Sequence, residues 1–173
     1  MKIDGERKLN ANNPIPREFN NIQVNASNDH DQSADAQIRN FNIFGSRNLG
    51  PSETVVGSTA IAVEKENLLT TLSSIGPSFE ISLLVKINSW KPGYANIIHL
   101  TEGGPCCNVG ERIPAVFTYN NKGRKTLYVS SAIGNNWNYG VPGNWYIPEI
   151  PTNSWFKLVI SQFEELVKFK QLS

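Results

Sequence analysis

Short runs in which apolar and polar residues alternate recur along this chain, and they constrain its fold more than any other feature. The clearest run is FEISLLVKIN, Phe79–Asn88, in which every second residue is apolar. These apolar positions are Phe79, Ile81, Leu83, Val85 and Ile87. A period of two residues is typical of a strand that turns one face to a core and the other to water. The run therefore predicts a β-strand with one buried face.

Further β-type segments are separated by turn residues, mainly Gly, Pro and Asn. Together the segments are Phe19–Asn25, Ile38–Phe44, Phe79–Ile87, Ala95–Thr101, Ile113–Tyr119, Thr126–Ala132 and Trp155–Gln162. Regularly spaced short strands predict an all-β sandwich or barrel. Two other stretches, Glu64–Ser74 and Phe163–Lys170, fit a short helix as well as a strand. Residues Gly45–Ser58, rich in Gly, Ser and Pro, form the clearest linker.

Length and charge exclude several classes of partner. A chain of 173 residues suits one domain, and its net charge is +1 with no basic run. A nucleic-acid footprint or a polybasic membrane patch needs clustered positive charge, and the apolar runs are far shorter than the ~20 residues of a membrane span. We therefore expect no nucleic-acid partner and no membrane insertion.

Two features bear on the compartment, and they point in different directions. The first ten residues, MKIDGERKLN, lack the apolar region of a secretory signal peptide. The sequon Asn25-Ala26-Ser27 and the high content of Asn, Thr, Ser and Trp are instead typical of extracellular modules, with Asn25 as a glycosylation site. We expect an extracellular or cell-surface location, as part of a larger protein.

Catalytic patterns are missing from the sequence. Sandwich-fold glycosidases place acid and nucleophile along one strand as Glu-x-Asp-x-x-Glu, and no such pattern occurs. Glu64 and Glu66 lie beside the linker, away from aromatic residues. His30 and His99 are the imidazoles available as general bases, and neither accompanies a recognisable nucleophile motif. We therefore expect no catalytic residues.

Adjacent cysteines interrupt the loop Glu102–Pro114, EGGPCCNVGERIP. Cys106 and Cys107 could bond to each other, bond to another chain or hold a soft metal. Alternatively, the loop is only a connection between strands, in which glycines supply turn geometry. A metal site needs about four ligands and only His99 lies nearby, so we favour the connection.

Two other loops carry candidate binding groups. Asp29, Asp31 and Asp35 form an oxygen-rich group that could take Ca²⁺, although we favour a solvated loop. The segment GNNWNYGVPGNWY offers aromatic rings among amides, which suits sugars because ring C–H faces stack on aromatic side chains. These candidate ligand-binding residues are Trp137, Tyr139, Trp145 and Tyr146, and the alternative is that one or two of the rings cap the sandwich.

Several segments between Leu68 and Gln162 resemble laminin-G-like, or concanavalin-A-like, modules of extracellular animal proteins. The resemblance is carried by SFEISLLVKINSW, NIIHLT, GERIPAVF, LYVSSAIG and NSWFKLVISQ, in that order. It implies an antiparallel β-sandwich of the jelly-roll type, and many such modules bind Ca²⁺ at one rim. GERIP is similar to a GDRIP pattern of the family, with Glu111 in place of Asp. We expect its Arg112 to pair with a carboxylate or a loop carbonyl and include Arg112 among the ligand-binding candidates.

The order of the resembling segments is inverted. Residues 1–44 are similar to the closing strands of such a module, whereas residues 59–173, after the linker 45–58, are similar to its opening and core strands. Either the chain holds parts of two tandem repeats, or it folds as one circularly permuted module, since domain termini often lie close together. We expect the N-terminal strands to complete one combined sandwich.

The sequence is compatible with three functions. The first is a non-catalytic recognition module that binds a glycan or an extracellular protein, without a cofactor unless Ca²⁺ is bound. The second is a structural repeat of an extracellular tandem array, which contacts neighbouring repeats and has no ligand. The third and weakest is a glycoside hydrolase of the concanavalin-A-like fold. Because one fold hosts many activities, the site has to decide among them.

Overall fold

The computed structural model describes residues 7–45, 53–140, 150–163 and 166–172, and within these ranges the chain forms strands and no helix. The strands are β1 (Arg7–Asn12), β2 (Phe19–Ala26), β3 (Gln32–Ser33), β4 (Asp35–Gly45), β5 (Glu53–Val56), β6 (Ile61–Ala62), β7 (Asn67–Ile75), β8 (Phe79–Ser89), β9 (Gly93–Thr101), β10 (Ala115–Asn121), β11 (Arg124–Ile133), β12 (Asn136–Gly140), β13 (Trp155–Phe163) and β14 (Leu166–Leu172). The predicted all-β class is confirmed. None of the described segments is a helix long and apolar enough for a membrane span.

The strands form two sheets, consistent with a β-sandwich. The first sheet has the order β1-β14-β13-β8-β4-β5, with β6 also paired to β4. The second has the order β12-β11-β10-β9-β2-β7, with the short β3 paired parallel to β9. The other pairings are antiparallel.

One hydrophobic core receives side chains from both sheets. The alternating residues of β8 are all buried in it, as their spacing predicts: Phe79, Ile81, Leu83, Val85 and Ile87. On β13, Phe156, Leu158 and Ile160 join the same core, while the alternate residues Trp155 and Lys157 are half-buried and exposed, respectively. The period of two residues thus identified the buried face of both strands.

Two N-terminal strands, β2 and β4, lie inside the two sheets, whereas β1 is an edge strand. β2 lies between β7 and β9, with Val24 opposite Leu100, and β4 lies between β8 and β5, with Ile38 opposite Val85. Without these strands, β8 and β9 would each present an unpaired row of backbone donors and acceptors. The N-terminal segment therefore belongs to both sheets, whereas its origin as the closing strands of a laminin-G-like module remains a prediction.

Three segments differ from the simplest sequence interpretation. The stretch Glu64–Ser74 holds β7, and the second helix candidate holds β14, which pairs with both β1 and β13. Sheet pairing decides these ambiguous segments, and Thr70 and Thr71 suit a strand better than a helix. Strand β5 lies within the predicted linker and pairs with β4, so that part of the linker is ordered in a sheet.

Candidate functional site

Aromatic side chains cover the face of the second sheet that points away from the core. In the strand register, Phe117 lies opposite Tyr128, and Tyr119 lies opposite Tyr94. The rings of Tyr94 and Tyr119 have centroids 4.4 Å apart, and those of Tyr94 and Tyr128 meet edge to face at 5.4 Å. The neighbouring Val116, by contrast, enters the hydrophobic core. The register of β9, β10 and β11 thus builds an aromatic surface outside the sandwich.

A cavity of about 240 Å³ lies on this surface, and we call it the aromatic groove. It is lined by Asp31, Tyr94, Arg112, Phe117, Tyr128, Trp137 and Asn138. A second cavity of about 150 Å³ shares Tyr94 and Tyr128 with it and extends toward Arg124 and Thr126. The shared tyrosines make one elongated surface, and Tyr94 is 47% exposed. An elongated ligand can therefore contact both cavities.

Arg112 supplies the charge at the base of the aromatic groove, although its side chain is only 8% exposed. Its Nη1 donates to the side-chain oxygen of Asn138, which also accepts from the Ser130 hydroxyl at 2.7 Å. The guanidinium carbon lies 5.1 Å from the ring centroid of Phe117 and 5.3 Å from that of Trp137. The expected carboxylate or loop-carbonyl partner is thus replaced, at Nη1, by a neutral side-chain amide.

The Nε atom of Arg112 is buried and has no hydrogen-bond partner among the residues that the structure describes. Burial lowers the pKa of Arg112, while the nearby Asp31, Tyr128 and Glu111 act in the opposite direction. An arginine nevertheless remains charged at neutral pH. The groove therefore holds a cation with one donor that the described part of the chain leaves unpaired.

Two phenol groups add hydrogen-bonding capacity. Burial raises the pKa of Tyr94, with smaller contributions from Tyr119 and Tyr128. Burial also raises the pKa of Tyr128, against the opposing charge of Arg112. Both hydroxyls therefore stay protonated at neutral pH, and a protonated hydroxyl can donate as well as accept.

A buried polar network supports one wall of the groove. Asn28 Nδ2 donates to His99 Nδ1 and to Asp31 Oδ2, each at 3.0 Å, and Asn28 Oδ1 accepts from the Asp31 backbone N–H at 2.9 Å. Since His99 Nδ1 accepts, the ring hydrogen is on Nε2, which donates to the carbonyl of Glu111. The network thereby connects the residue before Arg112 to the carboxylate of Asp31.

His99 should make folding stability depend on pH. Its side chain is 0% exposed, and burial lowers its pKa from the ordinary 6.5; the Arg112 charge acts in the same direction, against the Glu111 carbonyl, Asp31 and Asp29. Below about pH 6.5 the unfolded chain binds a proton that the folded chain excludes. The contribution of His99 to the free energy of unfolding should therefore be fully present above pH 6.5 and should decrease as the pH falls. Urea titrations at pH 7.5 and 5.5 would measure this decrease.

His99→Gln provides the test of this assignment. The variant should show a shallower fall in unfolding free energy between these pH values, whatever its stability at pH 7.5. The matched control is His30→Gln, because His30 is exposed. That control should keep the wild-type slope. Equal slopes for His99→Gln and the wild type would contradict the assignment.

The loop Glu102–Pro114 is ordered by its own carboxylates. Both carboxylate oxygens of Glu111 accept from Asn108, one from the backbone N–H at 2.7 Å and one from the side chain at 2.9 Å. Gly104 and Gly110 have φ of +75° and +96°, and a Cβ on either would collide with a glutamate side chain. The loop is therefore an ordered connection between β9 and β10 that holds Arg112 in position. The Glu111 carboxylate stabilises its turn through the hydrogen bonds to Asn108.

The two cysteines in this loop are bonded to each other, as a vicinal disulfide between Cys106 and Cys107. This pairing was one of the open alternatives at the sequence level. The neighbouring Gly104 and Pro105 line a further cavity of about 270 Å³, together with polar side chains that include His99 and Asn25. Asn25, the predicted glycosylation site, thus lies half-buried on β2 in a polar cavity, and the sequon's Ser27 is fully buried.

The acidic candidates occupy different environments. Asp35 accepts from Ser89 at 2.5 Å and from Asn88 at 3.0 Å, and these bonds lower its pKa. Asp31 lines the aromatic groove, whereas Asp29 lines the polar cavity. The described part of the chain contains no cluster of three or more His, Cys, Asp or Glu residues suited to a metal ion. The suggested calcium site remains a prediction.

The predicted aromatic residues separate into three groups. Trp137 lines the groove, whereas Tyr139 packs against the hydrophobic core. Trp145 and Tyr146 lie outside the described residues. The sequence interpretation missed the aromatic side chains on the central strands, namely Tyr94, Phe117 and Tyr128. Part of the signal was present, since Tyr128 is out of phase with the core residues Leu127 and Val129, and Phe117 is out of phase with Val116. Tyr94 shares the phase of Ile98 and Leu100, so alternation does not distinguish it.

Comparisons of the chain with known protein families, with curated proteins and with solved structures found no match.

Proposed function

We propose that this protein is a non-catalytic recognition module that binds a glycan in the aromatic groove. The observation that supports the proposal is the combination of Tyr94, Tyr128 and Trp137 with amide and guanidinium donors in one cavity. Sugar rings present apolar C–H faces to aromatic side chains and hydroxyls to amides. The groove offers both kinds of contact within one surface.

The shape of the surface favours a glycan over a flat protein partner. The two cavities that share Tyr94 and Tyr128 form an elongated track. Tyr94 and Tyr119 are already stacked on each other, so they lose little side-chain freedom on binding. A chain of a few sugar units can lie along such a track with successive rings over successive side chains.

Hydrolysis is a weaker explanation for the same groove. A retaining or inverting glycosidase needs two carboxyl groups on opposite sides of the scissile bond. Within the described residues, the carboxylate that lines the groove is Asp31, and it accepts a hydrogen bond from Asn28. The proposed activity is therefore binding without bond cleavage.

We also propose that the sandwich is laminin-G-like, in the permuted order that the sequence suggests, and that it works outside the cell. The two sheets of the structure are compatible with this order, and the N-terminal strands β2 and β4 supply inner strands. The disulfide Cys106–Cys107 supports the location, because disulfides persist mainly in oxidising compartments.

Trp137→Ala should weaken glycan binding at least about ten-fold, since a large aromatic at the centre of a binding site often contributes most of the affinity. The measurement is binding of the full chain to an array of immobilised glycans, followed by titration of the best ligand in solution.

Trp155→Ala is the matched control for this prediction. Trp155 is also half-buried and lies near a cation, with Arg39 4.4 Å from its ring centroid, but it belongs to the first sheet. The control should bind like the wild type. Equal loss in both variants would remove the groove from the proposal, and absence of binding to any glycan would overturn the proposed function.

A further inference from the structure

We infer that the glycan recognised in the aromatic groove carries a carboxylate, and that Arg112 is the residue that binds it. This inference rests on the proposed function and adds the chemical class of the ligand. It begins from a buried cation whose observed partner at Nη1 is the neutral Asn138. A buried charge is costly unless it is paired, so the groove gains from a ligand that brings a negative group into direct contact with the guanidinium.

The position of the unpaired Nε atom in the guanidinium group favours a carboxylate in particular. In a guanidinium group, the Nε and Nη2 hydrogens lie on one edge, and this edge forms paired hydrogen bonds with a carboxylate. Nη1 donates to Asn138, whereas no described residue accepts a hydrogen bond from Nε. The edge suited to a planar oxyanion therefore has a free donor.

Access to this edge requires some movement. Nε is covered by its surroundings, and the two rings beside the guanidinium are Phe117, which is 2% exposed, and Trp137, which is half-buried on β12. Trp137 has the greater freedom to change position. A bound acid should therefore perturb the indole of Trp137 directly.

Asp31 restricts the charge of the ligand. Its carboxylate lines the same groove and favours the charged form of Arg112. One ligand carboxylate can bind to the arginine edge, but additional negative groups near Asp31 would be repelled. The groove thus fits a sugar acid with one carboxylate per unit better than a densely sulfated chain.

The test compares matched ligands on the unaltered protein. The probes are the methyl glycosides of glucuronic acid, galacturonic acid and N-acetylneuraminic acid, each beside its methyl ester, together with methyl galactoside and galactose 6-sulfate. The readout is the NMR shift of the tryptophan indole N–H signals during titration. We expect at least one acid to bind, and its ester to bind at least ten-fold more weakly because the charge-assisted hydrogen bonds are lost.

Two charge variants of the full chain complete the test. Arg112→Lys keeps the positive charge but loses the two-donor edge, and it should weaken binding of the acid about as much as esterification does. Asp31→Asn keeps an oxygen for Asn28 but removes a negative charge, and it should strengthen binding of the acid about three-fold. If Arg112→Lys fails to fold, the ester comparison and Asp31→Asn still decide the question.

Three other outcomes would contradict the inference, and one of them would also contradict the proposed function. Acid and ester bound equally, with Trp137 still required, would overturn the carboxylate inference and leave the proposed function standing. Binding of the sulfated sugar without any of the carboxylates would likewise overturn the carboxylate assignment. No binding of any probe or arrayed glycan would overturn the proposed function and the inference with it.

Discussion

Phe41→Ala should lower the free energy of unfolding by about 3–5 kcal/mol, because deletion of a fully buried aromatic side chain removes its burial and leaves a cavity. Phe41 lies on β4, is 0% exposed and belongs to the core shared by both sheets. In a chain of this length the loss corresponds to a fall of roughly 10 °C in Tm. Urea unfolding followed by tryptophan fluorescence would measure it.

The same strand contains the control. Phe44 is 38% exposed, so Phe44→Ala should change the unfolding free energy by less than about 1 kcal/mol. The pair also tests whether the N-terminal segment is an integral part of the sandwich. Equal, small losses for both variants would mean that β4 does not contribute its buried face to the core.

Asn96→Ala should cost about 3 kcal/mol, because three buried backbone groups lose their partner. Asn96 is 0% exposed; its Oδ1 accepts from the Asn28 N–H at 3.2 Å, and its Nδ2 donates to the carbonyls of Ile98 at 3.3 Å and Val116 at 3.2 Å. This side chain joins β9, β10 and the segment that positions Asp31. Its loss should therefore weaken ligand binding as well as stability.

Two further variants separate hydrogen bonding from size. Asn96→Asp can accept from Asn28 but cannot donate to the two carbonyls, so at pH 7 it should destabilise at least as much as the alanine. Asn121→Ala, on the exposed end of β10, should change stability by less than about 0.5 kcal/mol. A stable Asn96→Asp variant, measured by thermal unfolding, would contradict the proposed role of the amide.

The local pattern of the sequence was sufficient to predict the clearest strands, but it did not decide between helix and strand in the ambiguous segments. Alternation placed β8 and β13 and assigned their buried faces, because a period of two residues is a local property. The segment around Leu68 and Leu69 remained open between helix and strand. Its pairing with β2 settles the conformation, and that contact involves residues more than forty positions away.

Only part of the candidate site could be predicted from local sequence pattern. Trp137 and Arg112 were identified from residue type and local motif, and both line the groove. Tyr94, Phe117 and Tyr128 were missed because each lies singly on a different strand, and only the register of β9, β10 and β11 brings them together. Tyr139, adjacent to the site in sequence, instead packs on the core.

By itself, the sequence determined that the chain is all-β and which residues of its clearest strands are buried, since hydrophobic burial acts on each strand through its own alternation. The tertiary structure alone decided the partner of Arg112. That arginine contacts Asn138, Phe117 and Trp137 across separate strands, and its Nε has no hydrogen bond to any residue within the described ranges. Whether a charge is paired depends on distances across the fold, and residue spacing along the chain does not specify those distances.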